Sequence, residues 1–203
     1  MKISIVLFSF FAIALADEQH ATVKLIRFEN DKEVDAGHLD LTQKDGKLTI
    51  VGKVTGLSAG EHGFHIHEKG STGNKCLDAG PHFNPQNKSH GGPDDSERHI
   101  GDLGNISADE NGVALINITD SLAQLDGEHG ILKRSVVVHE KADDFGKGTS
   151  PDSKKTGNSG TRVACGIIDG ESIPTTTTAG AFNDKFAANF FLAMISLLVL
   201  MIV

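Results

Sequence analysis

The chain has 203 residues, a formal net charge of −8 and neither tryptophan nor tyrosine. Nucleic-acid-binding proteins carry basic patches and stacking aromatic side chains, so this composition argues against that class of function. Between two apolar ends lies a body of about 160 residues, which is enough for one domain with a sizeable core.

The first sixteen residues predict a secretory signal peptide. Lys2 precedes an apolar run that ends in Ala14-Leu15-Ala16, a small-x-small cleavage sequence, and two acidic residues follow immediately. A transmembrane helix is the weaker interpretation because the run is short. We therefore expect residues 1–16 to be removed and residues 17–170 to form a secreted domain.

Two features of the body are compatible with secretion. Cys76 and Cys165 are the only cysteines, and two cysteines in a secreted domain are most simply one disulfide. Three N-glycosylation sequons begin at Asn87, Asn105 and Asn117. Sequons are common by chance, so they do not establish secretion by themselves.

The body predicts an all-β fold. Apolar segments of strand length are separated by turn signals such as Asp45-Gly46 and Asn111-Gly112. No stretch keeps a helical apolar period for ten residues. Strands are predicted around Leu39 to Leu41, and at residues 48–51, 113–119, 134–139 and 161–168.

Two long segments, residues 69–104 and 141–160, lack an obvious strand pattern. Structureless loops of that length are unusual in a compact domain and tend to be functional. We therefore expect some interaction to hold these segments in a fixed conformation.

Histidines can order the first of these segments. In Phe64-His65-Ile66-His67, strand alternation turns both imidazoles to one face and both hydrophobic side chains to the other. Further along the chain, three imidazoles and a carboxylate form a set suited to tetrahedral zinc. This set is His82, His90, His99 and Asp102. A metal would order the loop because binding free energy becomes folding free energy. For any single histidine, a polar loop without metal is the alternative.

The C-terminal end predicts a stalk followed by a membrane attachment signal. Residues 171–180 contain one proline and four threonines, a composition that favours an extended stalk. Small residues at Ala179-Gly180-Ala181, a spacer and the apolar tail from Phe190 to Val203 are typical of a glycosylphosphatidylinositol (GPI) attachment signal. We assign this signal to residues 181–203. The alternative is a C-terminal membrane helix, which would be short against the roughly 20 residues needed to span a bilayer.

Six sequence stretches carry a family resemblance: GFHIHEKG (63–70), AGPHFNP (79–85), HGGPDD (90–95), RHIGDLGN (98–105), VVVHEKADDFGKG (136–148) and KTGNSGTRVACG (155–166). They resemble the extracellular copper/zinc superoxide dismutase family. Together they are highly specific, and the resemblance covers nearly everything from Ala21 to Ile168. It implies an eight-stranded antiparallel Greek-key barrel, an architecture grouped with the β-sandwiches, with long metal-binding and electrostatic loops. Phe64 and Ile66 would fill the inside of this barrel.

The resemblance also assigns ligands for one copper and one zinc per subunit. The copper ligands would be His65, His67, His82 and His139. The zinc ligands would be His82, His90, His99 and Asp102, so that His82 bridges the two metals. Asp143 matches the family's carboxylate that accepts hydrogen bonds from His65 and His90, and such partners fix the orientation of ligand rings. Cys76 and Cys165 match the family's intrasubunit disulfide.

The implied reaction converts superoxide to dioxygen and hydrogen peroxide by alternate reduction and reoxidation of copper. His82 would release copper and accept a proton in the reduced state, and then return it. Arg162 matches the family's channel arginine, whose permanent charge suits a small anion. Lys155 and Thr156 match the family's anion-guiding groups.

Two rival function classes use the same kind of site. A non-catalytic copper- or zinc-binding module would be expected to lose the anion-guiding groups, and a copper-delivery relative would lack part of the copper set. The anion-guiding residues and the copper ligands are both complete here.

One departure from the family concerns assembly. Lys133 replaces a glycine that lets two subunits of the family approach each other, and this argues against the usual homodimer.

We expect the protein to lie at the outer face of the plasma membrane, held there by a lipid anchor. Secretion and a membrane helix are the alternatives.

Overall fold

The structure is a computed structural model, and it describes residues 18–170. The predicted signal peptide, stalk and C-terminal attachment signal lie outside the described residues. Within the described range, no helix is long and apolar enough to cross a bilayer. The strands are β1 (Gln19–Glu29), β2 (Lys32–Lys44), β3 (Lys47–Thr55), β4 (Gly60–His67), β5 (Asp102–Ala108), β6 (Val113–Asp120), β7 (Ser135–His139) and β8 (Arg162–Asp169).

The eight strands form a closed antiparallel barrel. Their order around it is β1-β2-β3-β6-β5-β4-β7-β8, and the pairing of β1 with β8 closes the ring. The connections from β3 to β4 and from β6 to β7 each pass over two strands, which makes the topology a Greek key. The predicted fold class is confirmed.

Tight turns set the register of the first strands. Asp45 and Gly46, both at positive φ, join β2 to β3 as predicted. Asn30 and Asp31, also at positive φ, join β1 to β2. Residues that tolerate positive φ are required at both central positions of this type of two-residue hairpin, because its twist matches that of the strands.

The barrel interior is a continuous apolar core. Phe64 and Ile66 of β4 are fully buried in it, as the alternation of the sequence predicts. Large side chains from the other strands, such as Leu25, Leu39 and Leu48, complete the same cluster.

β4 and β7 are buried on both faces. Residues 62–67 of β4 and every residue of β7 are buried, and backbone hydrogen bonds join Ile66 to Phe83 and Gly101 of the first long segment. A small second cluster outside the barrel contains Val137, Ala79 and both cysteines. His65, His67 and His139, which were predicted to be metal ligands, lie on this covered outer face.

Both long segments largely lack strands, but the first one ends earlier than predicted. It was expected to run to Gly104, whereas β5 begins at Asp102. Gly104 and the burial of both strand faces at 102–104 hide the alternation that would reveal a strand. The first segment contains a single 3₁₀ turn (Leu77–Ala79), and the second contains one short helix, α1 (Ser153–Thr156).

Candidate metal centre

Four histidines converge on the outer face of β4 and β7. His65 and His67 lie opposite Val137 and Ser135, and His139 is the last residue of β7. His82 reaches them because backbone hydrogen bonds join Ile66 to Phe83 and Gly101, which holds the loop against β4. All four side chains are buried, and one ligating atom of each lies within 4.8 Å of the others.

The nitrogens that face each other in this cluster are poorly satisfied. His65 Nδ1 and His82 Nε2 are buried and have no hydrogen-bond partner among residues 18–170. Nε2 of His67 and Nε2 of His139 lie 3.2 Å apart. Buried polar atoms are normally paired, so four nitrogens pointing at one place fit a metal ion. Nitrogen ligands of this kind suit copper.

The other nitrogen of each ring is held by the protein. Nδ1 of His67 lies 2.7 Å from the carbonyl oxygen of Gly80, and Nδ1 of His139 lies 3.3 Å from that of Gly160. His65 Nε2 lies 2.8 Å from Oδ2 of Asp143. These contacts fix the ring orientation and leave the inward nitrogen free to bind a metal.

A second cluster shares His82 with the first. The Nδ1 atoms of His82, His90 and His99 lie 2.9, 3.0 and 3.1 Å from Oδ1 of Asp102. Oδ2 of Asp102 accepts the backbone N–H of His99 and of Gly91, which orients the carboxylate. The three nitrogens and one carboxylate oxygen are a set that zinc accepts.

Asp143 contacts one histidine ring of each cluster. Its Oδ2 and Oδ1 lie 2.8 Å from Nε2 of His65 and of His90, one ring from each cluster. Its own backbone is clamped by Asn105, whose Oδ1 accepts the Asp143 N–H at 2.7 Å and whose Nδ2 donates to the Asp143 carbonyl oxygen at 3.0 Å. Both rings therefore share a single, rigidly held carboxylate.

Because Gly157 has no side chain, there is room for the hydrogen bonds between Asp143 and the two rings. A Cβ atom placed on it would lie 1.8 Å from Oδ1 of Asp143 and 2.6 Å from Nε2 of His90. Its φ of +64° also favours glycine. The sequence indicates no role for Gly157 and marks Asn105 only as a sequon, although both lie in stretches that carry the family resemblance.

Burial favours the neutral form of the histidine rings in the first cluster. Burial, reinforced by the neighbouring rings, lowers the pKa of His65 and His67 well below the ordinary value. The pKa of His82 is also lowered by burial, although Asp102 partly opposes this, and that of His139 falls to about 3. Neutral imidazole is the form that ligates a metal.

In the second cluster, hydrogen bonds between the histidines and the carboxylates shift the pKa values. Burial opposes charge on His90, but hydrogen bonds to Asp102 and Asp143 raise its pKa to about 9. The pKa of Asp102 would be raised by burial, yet hydrogen bonds from His82, His90 and His99 hold it well below the ordinary range. The carboxylate is therefore ionised, which is the form a cation binds.

Two buried polar contacts support the ligands without belonging to either cluster. Nδ1 of His62 lies 2.7 Å from the carbonyl oxygen of His139, which holds the end of β7. Arg98 donates from Nη1 to the carbonyl oxygen of Asp102 at 2.9 Å and pairs through Nη2 with Asp120. Neither contact could be read from the spacing of the ligands.

A cleft of about 630 Å³ opens above the first cluster, and its lining includes His67, His82 and His139. Of the lining residues within 18–170, Arg162 and Lys75 are the cationic ones. Arg162 is half-buried and held in place, because its guanidinium donates to the carbonyl oxygens of Cys76, Leu77 and Gly80.

The predicted anion-guiding residues are divided between two cavities. Thr156, at the end of α1, lines the same cleft as Arg162. Lys155 is exposed and lines a neighbouring cavity of about 650 Å³ that also reaches His82 and His99. Lys75 had not been predicted, because it lies far in sequence from the segment that supplies the other cations.

The disulfide between Cys76 and Cys165 is confirmed, with the two Cα atoms 5.9 Å apart. It ties the first long segment to β8, at the point where the carbonyl groups of that segment hold Arg162. The enclosed loop spans 89 residues. In the chain-entropy treatment, a closure of this length contributes roughly 4–5 kcal/mol.

The chain is similar in sequence and in fold to known proteins. The sequence matches the copper/zinc superoxide dismutase family over residues 35–168. It is 59% identical over 145 residues to the extracellular Cu-Zn superoxide dismutase of Caenorhabditis elegans, covering 70% of this chain and 66% of that protein. The extracellular Cu-Zn superoxide dismutase of Haemonchus contortus is 53% identical over 132 residues, which cover 65% of this chain and 72% of that protein. The crystal structure of the clock protein EA4 superimposes with a TM-score of 0.69 at 46% identity, covering 79% of this chain and all of that one.

Proposed function

The chain belongs to the copper/zinc superoxide dismutase family, and we propose that it is an extracellular enzyme that converts superoxide to dioxygen and hydrogen peroxide. The observation that carries this proposal is the pair of buried clusters that share His82 and lie beneath a cleft containing Arg162. A site of this kind combines metal binding with capture of a small anion.

The residues divide between the two metals. Copper would be held by His65, His67, His82 and His139, and zinc by His82, His90, His99 and Asp102. When bound, copper supplies a centre that takes up and returns one electron, whereas zinc has no redox chemistry and orders the loop. The unpartnered inward nitrogens of the first cluster and the carboxylate of the second fit these two ions.

Arg162 orients the substrate. Its guanidinium is fixed by three backbone carbonyls and lies in the cleft with His67 and His139. A permanently charged, planar group in a half-buried position suits a diatomic anion. Thr156 lines the same cleft.

His82 is the group best placed to deliver a proton to the product. Its Nδ1 faces Asp102, and its Nε2 is buried in the first cluster without a hydrogen-bond partner in the described chain. Because burial lowers its pKa, a proton held at Nε2 would be released readily. Hydrogen peroxide carries two protons that superoxide lacks, so such a donor is required.

A histidine substitution tests the proposal. His139→Ala should abolish superoxide consumption by protein reconstituted with both metals, while zinc content stays normal, because His139 belongs to the first cluster alone. His38→Ala is the matched control, since His38 lies on the exposed surface of β2. Full turnover by His139→Ala at normal zinc content would contradict the copper assignment.

We propose in addition that the mature protein is attached to the outer cell surface by a lipid. Extracellular relatives, the signal peptide expected at 1–16 and the attachment signal expected at 181–203 support this. Phosphatidylinositol-specific phospholipase C should release the activity from intact cells. Activity that stays with the membrane under conditions releasing a known anchored protein would favour the membrane-helix alternative, and activity free from the start would favour plain secretion.

We also propose that Lys133 weakens the family's homodimer. Lys133 Nζ pairs with Asp169 on the surface, where both side chains are mostly exposed. Association of two subunits through this surface would strip water from both charges, and charged residues are depleted at interface centres for that reason.

A further inference from the structure

The structure separates the three sequons by their surroundings. Asn87 is exposed in a loop turn, Asn105 is half-buried in β5, and Asn117 is exposed in the middle of β6. Their sequences alone do not distinguish them, since each has the pattern Asn-X-Ser/Thr.

The side chain of Asn105 is already committed to the metal centre. Its amide group makes two hydrogen bonds to the backbone of Asp143, and Asp143 orients one ring of each cluster. A sugar on Nδ2 would replace one hydrogen of the amide and place a bulky group at this half-buried position. A glycan at Asn105 and a correctly held Asp143 therefore compete.

Asn117 has the opposite surroundings. Strand alternation turns Asn117 and Thr119 outward together, and both are exposed, whereas Ile118 packs against the core. Both residues of the sequon that take part in recognition therefore lie on one open face. Within residues 18–170, neither side chain takes part in a side-chain hydrogen bond that a sugar would break.

Two exposed apolar side chains adjoin Asn117 on this face. Val51 of β3 lies directly opposite Asn117 in the ladder and is 40% exposed. Leu115, two residues before Asn117 on the same face of β6, is 80% exposed. Residues directly opposite have Cβ atoms about 5 Å apart, so a sugar on Asn117 lies within reach of both side chains.

We propose that Asn117 carries an N-linked glycan that covers the apolar pair Val51 and Leu115, and that Asn105 remains unmodified because it positions Asp143. The inference rests on the secretory route of the proposed function. In the transfer, the bond between the anomeric carbon of a lipid-linked oligosaccharide diphosphate and its phosphate oxygen breaks. A bond from that carbon to Asn117 Nδ2 forms, one Nδ2 proton is lost, and the lipid diphosphate leaves.

The test uses the full chain expressed in secreting eukaryotic cells and recovered from the cell surface or the medium. Treatment with peptide N-glycosidase in heavy-oxygen water converts each glycosylated asparagine to a labelled aspartate, which peptide mass spectrometry locates. We expect label at Asn117 and none at Asn105 in protein that contains both metals. Unlabelled Asn117 in the recovered protein, or label at Asn105, would overturn the proposal.

Matched variants separate the sequon from the side chain. Asn117→Gln and Thr119→Ala both destroy the sequon and should remove the same electrophoretic shift, whereas Thr119→Ser keeps the sequon and should retain it. Asn117→Gln should also increase self-association on concentration, and adding Leu115→Thr should reverse this increase. An unchanged mobility in both sequon-destroying variants contradicts the glycan, and self-association unaffected by Leu115→Thr contradicts the covering role.

Dismutase activity per copper should be the same in Asn117→Gln as in the wild type, because Asn117 lies on the outer face of β6 and outside the metal centre. Failure of the inference is therefore distinguishable from failure of the proposed function. An active protein without a glycan rejects the former alone, and a glycosylated protein without activity rejects the latter alone.

Discussion

At the scale of single residues, the hydrogen bonds between Asp143 and the rings of His65 and His90 require glycine at position 157. The carboxylate can reach both rings because no side chain projects from Gly157 into the space between them. Partners of this kind orient metal ligands, and their loss typically costs about 10- to 100-fold in metal affinity or activity.

Gly157→Ala should therefore weaken zinc binding by roughly 10- to 100-fold. The added Cβ would displace Oδ1 of Asp143 from His90, and the residue would also be strained at positive φ. Competition with a zinc chelator of known affinity measures the change.

Gly46→Ala is the matched control, because Gly46 has a similar φ and no atom lies within 4 Å of the added carbon. It should cost roughly 1–2 kcal/mol of stability, because alanine is strained at positive φ, and should leave zinc affinity unchanged. Equal zinc affinities in the two variants would show that the clash at Gly157 has no consequence.

The members of both clusters and Asp143 could be predicted from the sequence, whereas the residues that support Asp143 could not. Alternation along one strand indicates His65 and His67, and the motifs that carry the family resemblance predict the other members. Gly157 and Asn105 act through contacts with Asp143 that are distant in sequence, or through the absence of a side chain. Such roles have no local signature, so they appear only when the fold brings the segments together.

At the scale of elements, the sequence signal is strongest where one strand face meets water. The stretch around Leu39 in β2 alternates clearly, and β7 was found as an unbroken apolar run. β5 was not among the predicted strands, because both faces of its first residues are buried and the alternation is hidden. β1 was not among the predicted strands, although its side chains alternate between buried and exposed and the Asn30-Asp31 turn ends it.

The connection between β6 and β7 carries the prediction about assembly. Lys133 has a φ of +61°, a conformation that glycine adopts without strain, so Lys133→Gly should fold. We expect this variant to dimerise at lower concentration than the wild type, because it removes a charge that would otherwise lose its water. Sedimentation velocity over a range of concentrations measures the difference.

A second substitution separates the charge of Lys133 from its size. Lys133→Asn removes the charge, keeps a side chain and tolerates positive φ. If charge is responsible, Lys133→Asn should approach Lys133→Gly; if bulk is responsible, it should resemble the wild type. A wild type that dimerises as strongly as Lys133→Gly would remove Lys133 from the assembly question.

At the scale of the whole molecule, an acidic protein must attract an anion. The chain carries a net charge of −8. From Lys141 to Arg162 there are five positive and three negative side chains, so this segment opposes the overall sign. Asp143, one of the three negative residues, is buried and hydrogen-bonded to two histidines, which makes the exposed charge of the segment more positive. Lys75, from the first long segment, adds a further cation to the cleft, although it pairs with Asp31 at 2.6 Å.

We therefore expect Arg162 to govern the rate of substrate capture. Local positive charge above a cleft raises anion on-rates by roughly 10- to 1000-fold, a range for which superoxide dismutase is itself a reference case. Arg162→Ile should lower the second-order rate constant, and Arg162→Glu should lower it further, with copper content unchanged. Pulse radiolysis at defined copper content measures these constants.

Salt dependence identifies the cause of any loss. Screening shortens to about 8 Å at 0.15 M and about 3 Å at 1 M ionic strength, so salt should slow the wild type. The salt slope should flatten in Arg162→Ile and change sign in Arg162→Glu, where screening helps the anion approach. Lys53→Ile, on the exposed face of β3, changes the net charge as much as Arg162→Ile does and should keep the wild-type slope. Parallel slopes in wild type, Arg162→Ile and Arg162→Glu would show that Arg162 positions the substrate at short range without steering it.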